Sequence, residues 1–417
     1  MEKIGFFLGF RATETIKNRH MKFSERIQRI QPSMTLAVDA KSKELRANGE
    51  DIIGFGAGEP DFDTPDKIKQ AGIVAIETNM THYTPVGGID ALKQAIVDKF
   101  ERDNNLIYEK NQILVSCGAK HSLFNIAQVL WEEGDEIIVP APYWVSYPDI
   151  IRYAGAKPVI VDTLSTNEFK ITPDQINSAV TPNTRAIIIN SPSNPTGSAY
   201  DKKELETIAE CALRNKLLIV SDEIYEKVVF DGFEQHSICA LGKEIQNNSI
   251  LINGVSKSYA MTGWRIGYLA ANEEIVKQTG KLQGQSTSNP TSISQIASIT
   301  ALNDTKSDVS RMVDEFQKRR DSLLSCLLKI PSVECYKPIG SFYTFPDFSA
   351  FYGKSFKGKK VKGSIQLASF LLEEGKVALV PGLAFGADRN LRLSFAASMD
   401  TIKQGVDRIT KALELLE

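Results

Sequence analysis

Between residues 112 and 271 the chain repeats one pattern: a short, nearly continuous apolar run, then a longer stretch with apolar residues at helical spacing. The apolar runs are Gln112–Ser116 (QILVS), Glu136–Val139 (EIIV), Pro158–Val161 (PVIV), Ala186–Asn190 (AIIIN), Leu217–Ser221 (LLIVS), Ser249–Asn253 (SILIN) and Gly267–Ala271 (GYLAA). Runs without polar alternation predict strands buried on both faces. Helical stretches between them, from about His121 and over Lys202–Asn215, predict βαβ units and a mostly parallel sheet. A long amphipathic helix is predicted over Asp304–Leu328, followed by a weaker α+β pattern to Glu417. Another helix, Met34–Ala47, precedes a glycine-rich loop at Gly54–Pro60.

A chain of 417 residues exceeds what one core sustains, since single cores stop growing at roughly 250–300 residues. The pattern divides it into a large sheet-bearing domain (63–309), a smaller α+β domain (22–62 plus 310–417) and a loose extension (1–21). Within that extension Ile4–Phe10 is apolar but too short for a membrane span, and no small-residue cleavage site follows. Met21 is a candidate start. Composition changes the picture only by exclusion. With 42% hydrophobic residues and a net charge of −2, neither a disordered chain nor a nucleic-acid partner is expected. No run is apolar enough to cross a membrane. Five scattered cysteines without a CxxC pair predict no disulfide framework, and four histidines without ligand spacing predict no metal. Both fit a reducing, cytoplasmic compartment.

Ligands of open parallel sheets bind beyond the carboxyl ends of the strands, so the chemistry is sought there. After Ser116 come Cys117, Gly118, Ala119 and Lys120, a glycine turn opening a helix, which suits an anion. After Asn190 comes Ser191–Gly197 (SPSNPTG), containing Asn194. After Ser221 come Asp222, Glu223 and Tyr225; after Asn253 come Ser256, Lys257 and, eight residues on, Arg265. Each alone reads equally as a turn or a helix cap. Together they offer an anion turn, an amide, an acid with a phenol, and a lysine with an arginine. A cofactor with a phosphate, a phenolic oxygen, a ring nitrogen and an aldehyde matches that set, and pyridoxal phosphate has all four. The rival dinucleotide fingerprint at Gly54–Gly58 lacks its third spaced glycine.

The run Gly254–Gly267 (GVSKSYAMTGWRIG) resembles the cofactor-attachment motif of class I aminotransferases at every constrained position. Gly56–Pro65 (GAGEPDFDTP), Tyr83-Thr84-Pro85 and Asn190–Gly197 (NSPSNPTG) are similar to the subgroup of bacterial Ib-type aspartate aminotransferases, and the likeness spans nearly the whole chain from Lys22. The resemblance implies the α/β fold type I of pyridoxal-phosphate enzymes, the cofactor held by the large domain, and a homodimer with shared sites. It implies Lys257 as the Schiff-base residue and proton carrier, Asp222 at the ring nitrogen, and Tyr225 and Asn194 at the phenolic oxygen. Arg265, Ser256 and the backbone N–H groups of Ala119 and Lys120 are assigned to the phosphate. The Lys120 side chain is not carried over, because some relatives have a hydroxyl residue there. Tyr83 is expected to reach the phosphate of the neighbouring subunit, and Trp144 to stack on the ring. Arg392, in Asn390–Phe395 (NLRLSF), and Gly58 are assigned to the substrate α-carboxylate, with Asn194 and Trp144 beside them and Thr35 near the distal end. Gln31 stands where relatives that also accept prephenate carry a basic residue. The implied reaction is transamination between an amino acid, aspartate first, and 2-oxoglutarate. The alternatives are aromatic, alanine or prephenate/arogenate specificity, or a β-elimination lyase of the same fold.

Overall fold

Seven strands form the central sheet: β1 (Ile113–Ser116), β2 (Glu136–Ala141), β3 (Lys157–Asp162), β4 (Thr184–Asn190), β5 (Leu218–Asp222), β6 (Ser249–Gly254) and β7 (Gly267–Ala270). These come from a computed structural model that describes residues 22–417; the extension expected over 1–21 lies outside the described residues. Every strand lies within two residues of the apolar run that predicts it. The order is β1-β7-β6-β5-β4-β2-β3. Its neighbours run parallel, except that β7 is antiparallel to both β1 and β6.

Each strand is apolar throughout because both faces are covered. Val115, Ile138, Ile187, Ile219 and Leu251 pack on one side with Leu92, Ile96, Phe100, Leu205 and Ile208 of helices Asp90–Asn104 and Lys202–Arg214. Leu114, Ile137, Ile188, Val220 and Ile250 pack on the other with Leu123 and Ile126 of helix Ala119–Leu130. Each such side chain, fully withdrawn from water, contributes about 1.5–3 kcal/mol.

A further core forms around helix Lys306–Leu327, whose Phe316, Leu323 and Leu327 meet Ile402, Val406 and Ile409 of helix Met399–Leu413. A three-stranded antiparallel sheet lies against them: Tyr343–Thr344, Leu391–Ser394 and Val380–Pro381. Ile53–Gly54 pairs in parallel with Val377–Ala378 and so brings the glycine-rich loop to this region. The same core includes Ile224, Tyr225 and Val228 from the loop after β5. The carboxyl end of the large sheet and the small antiparallel sheet therefore share a boundary.

Candidate active site

The residues at that boundary line one cleft of about 450 Å³. It gathers Thr35, Gly58, Ala119, Lys120, Trp144, Asn194, Asp222, Tyr225, Ser256, Lys257, Arg265 and Arg392. Tyr83 alone among the expected site residues stands apart, with 92% of its surface exposed.

β5 ends on Asp222, which is buried. Its carboxylate accepts from the Tyr147 hydroxyl at 2.6 Å and from the Ile224 N–H at 3.3 Å. Burial raises its pKa to about 6, against the pull of those two donors and of Lys257. The loop that follows is anchored from below by a buried ion pair between Lys99 and Glu226, with Asn104 donating to the same carboxylate at 2.9 Å. Removing one partner of such a pair typically costs about 3–5 kcal/mol.

The anion turn forms as its sequence requires. Gly118 has φ +96°, and a Cβ there would lie 2.4 Å from Nη2 of Arg265. Only glycine lets the guanidinium lie against the turn. The helix begins at Ala119, so the N–H groups of Ala119 and Lys120 have no acceptor within it. Arg265 is itself left-handed (φ 56°) and donates to the Thr262 carbonyl at 2.8 Å and the Cys117 carbonyl at 3.3 Å. Its side chain remains exposed to the cleft, and Ser256 lies buried beside it.

Lys257 follows β6 and donates to the Gly58 carbonyl. Burial lowers its pKa to about 8; Arg392 and Arg265 lower it further, while Glu59 and Asp222 oppose them. About a tenth of the amine is thus unprotonated at pH 7, against well under a thousandth for an ordinary lysine. Capture of an aldehyde by the cofactor-free protein is therefore expected to speed up about tenfold per pH unit below 8 and to level off above. Stopped-flow absorbance with pyridoxal phosphate reads this. A rate still climbing at that slope beyond pH 10 would show an ordinary lysine.

Arg392, on strand Leu391–Ser394, is buried without an ion-pair partner among the described residues. Nη1 donates to Oδ1 of Asn194 at 3.0 Å and Nη2 to the Gly56 carbonyl at 2.8 Å. Nε is buried with no acceptor. A buried guanidinium in this condition fits an incoming carboxylate.

Three features were not foreseen. Tyr147 holds Asp222. The Tyr343 hydroxyl lies 3.1 Å from that of Tyr225, and its ring lies under Arg392. The Lys120 side chain, to which the resemblance assigns no role, enters the cleft with Nζ 4.9 Å from the Trp144 ring centroid. Its pKa is lowered by burial and then by Arg265. The only sequence signal for Tyr147 was its place three residues after Trp144.

A buried acid, an amine of lowered pKa and an anion turn beside an arginine suit the ring nitrogen, aldehyde and phosphate of pyridoxal phosphate. With the sheet order they define a fold-type-I pyridoxal-phosphate enzyme. The chain matches the family "Aminotransferase class I and II" over residues 50–409 and belongs to it; it is a pyridoxal-phosphate-dependent aminotransferase. It is 48% identical over 394 residues to the aspartate aminotransferase of Geobacillus stearothermophilus, covering 94% of this chain and 99% of that one. It is 46% identical over 393 residues to a probable aspartate/prephenate aminotransferase of Aquifex aeolicus, covering 94% and 98%. The crystal structure of the Rhizobium meliloti aspartate aminotransferase superposes with a TM-score of 0.92 at 40% identity, covering 95% of this chain and all of that one.

Proposed function

We propose that the enzyme exchanges the amino group of aspartate with 2-oxoglutarate. The observation that carries this reading is a cleft lined by Arg392 and by a further cation, Lys120, which lies beside Trp144, with Thr35 also on its wall. A dicarboxylic substrate needs both. Arg392 takes the α-carboxylate, with Asn194 and the Gly58 backbone beside it. Lys120 and Thr35 take the distal one. Thr35 is oriented for this by Ser33, whose hydroxyl lies 2.8 Å from its own.

Pyridoxal phosphate supplies an aldehyde for amine capture and a protonated ring that withdraws electrons from the substrate Cα. The chain's residues do the rest. Lys257 attaches the resting cofactor and, once released by substrate, moves the proton at Cα; its lowered pKa makes it a base near neutrality. Asp222 keeps the ring nitrogen protonated, and Tyr147 holds Asp222 in place. Tyr225 and Asn194 face the phenolic oxygen. Arg265, Ser256 and the N–H groups of Ala119 and Lys120 hold the phosphate, and Trp144 covers the ring. Lysine is the group shared by attachment and proton transfer, so the two roles require one flexible side chain rather than two.

Tyr83 completes a neighbouring site in a homodimer. Supporting this, Ile73, Val74, Ile76 and Met80 are exposed in the chain segment leading to it, an apolar stretch suited to a second copy. Among the described residues no helix is long and apolar enough to cross a membrane, and all five cysteines are free. We place the enzyme in the cytoplasm on the latter ground.

Half-reactions with the twenty amino acids and prephenate-derived arogenate, read by loss of the cofactor's visible absorption, test the substrate. Aspartate and glutamate are expected to lead. Equal turnover of alanine or an aromatic amino acid, with aspartate poor, overturns the reading; pyruvate and ammonia released without an acceptor would indicate a lyase. Lys120→Met is expected to raise KM for aspartate by about 10- to 100-fold, the loss of one charged hydrogen bond, and KM for alanine by less than about twofold. An equal rise for both amino acids places Lys120 elsewhere.

A further inference from the structure

Tyr343 belongs to none of the roles above, yet it touches two of their bearers. It sits on the small antiparallel sheet opposite Ser394, so its side chain shares a face with Arg392 two residues earlier. Its ring centroid lies 4.4 Å from the Arg392 guanidinium carbon, within cation–π range. Its hydroxyl lies 3.1 Å from that of Tyr225, and a Cβ on Gly58 would be 3.6 Å from the same oxygen. Both phenols are buried. Their rings meet edge to face at 5.9 Å.

Two hydroxyls at this distance share one proton between them: one donates, the other accepts. Tyr225 can donate to the phenolic oxygen of the cofactor only when Tyr343 is the donor of the pair. The ring beneath Arg392 fixes the plane of the guanidinium, whose Nη1 and Nη2 each give one N–H, to Asn194 and to the Gly56 carbonyl. We propose that Tyr343 is a positioning residue that sets the direction of the Tyr225 hydroxyl and the plane of the Arg392 guanidinium. It thereby couples the substrate-carboxylate side of the cleft to the phenolic-oxygen side. The inference rests on the roles proposed above for Tyr225 and Arg392.

A hydroxyl donating to the phenolic oxygen favours its deprotonated form and lowers the pH at which the bound cofactor's visible absorption changes. The test uses the holoenzyme and its Tyr343→Phe, Tyr225→Phe and doubly substituted forms, with that midpoint as readout. Tyr225→Phe is expected to raise it. Tyr343→Phe is expected to raise it by about 0.5–1 pH unit, the loss of one neutral hydrogen bond, and to add nothing in the Tyr225→Phe background. Since the phenylalanine keeps the ring, succinate should bind Tyr343→Phe within about twofold of wild type and Tyr343→Leu about 3- to 10-fold more weakly. A midpoint moved by Tyr225→Phe but not by Tyr343→Phe, or moved equally in both backgrounds, overturns the inference alone. A midpoint unmoved by Tyr225→Phe overturns the Tyr225 assignment and the inference with it.

Discussion

Lys257→Ala is expected to lower kcat for aspartate by at least about 10⁴-fold, while the variant still folds and still binds pyridoxal phosphate. Positioned proton transfer alone contributes about 10²–10⁴ in rate, and the covalent hand-over between lysine and substrate amine is lost as well. Folding should survive, because the side chain's only hydrogen bond among the described residues is to the Gly58 carbonyl. Removing the side chain also frees a cation from the neighbourhood of Arg392 and Arg265, which depress its pKa. Cofactor affinity should therefore fall less than turnover does, the phosphate contacts remaining in place. Two measurements check this. Steady-state kinetics should give a residual kcat under a ten-thousandth of wild type. Borohydride reduction followed by peptide mapping should fix the cofactor to the Lys257 peptide in wild type and to no peptide in the variant. A variant keeping a hundredth of the activity, or a label on another lysine, would falsify the assignment.

What the sequence made legible, and what it hid, follows from the range of the interactions involved. The strands were readable because a strand covered on both faces has no polar alternation, and that is a property of consecutive residues. Helix Met34–Ala47 was readable to the residue, and helix Lys306–Leu327 to within two. The antiparallel direction of β7 was not. Direction depends on the length and path of the connection, and Gly254–Gly267 carries chemistry whose constraints mask those of the turn. The anion turn was foreseen from glycine before a helix. The glycine is required locally by its positive φ, and it also admits the close approach of Arg265, 147 positions along the chain from Gly118.

The same distinction separates the site residues. Lys257, Asp222, Asn194 and Arg265 sit at strand ends within recognisable runs. Tyr147 acts on Asp222 across 75 residues of chain and Tyr343 on Tyr225 across 118, from segments whose local pattern is merely apolar. A tyrosine in an apolar stretch looks like core until its hydroxyl is seen to have a partner. Lys120 was hidden by another cause. Some relatives have a hydroxyl residue there, and the helix N-terminus accounts for the backbone N–H groups without the side chain, so it is the fold that turns the ammonium inward over Trp144.

Arg392→Leu is expected to lower kcat/KM for aspartate by about 10²–10⁴-fold, the equivalent of about 3–5 kcal/mol for a broken buried charge pair. In the free protein the guanidinium already bears the cost of burial, which depresses its pKa, and its Nε has no acceptor. An α-carboxylate arriving there gains more than it would at a solvated arginine, because the desolvation has already occurred in the folded protein. Leucine removes that gain and leaves Oδ1 of Asn194 and the Gly56 carbonyl without their donor. Arg392→Lys should recover little, since an ammonium cannot keep both of those acceptors and still offer a fork to the substrate. A loss of activity could equally come from a disturbed fold, so the decisive comparison uses the substrate. Alanine and ethylamine differ by one α-carboxylate. Wild type should prefer alanine by a factor close to the loss seen in Arg392→Leu, and the variant should scarcely distinguish them in the half-reaction. If the variant keeps the wild-type preference for alanine, the carboxylate is held by another residue, and the cleft offers Lys120 and Arg265 among its other cations.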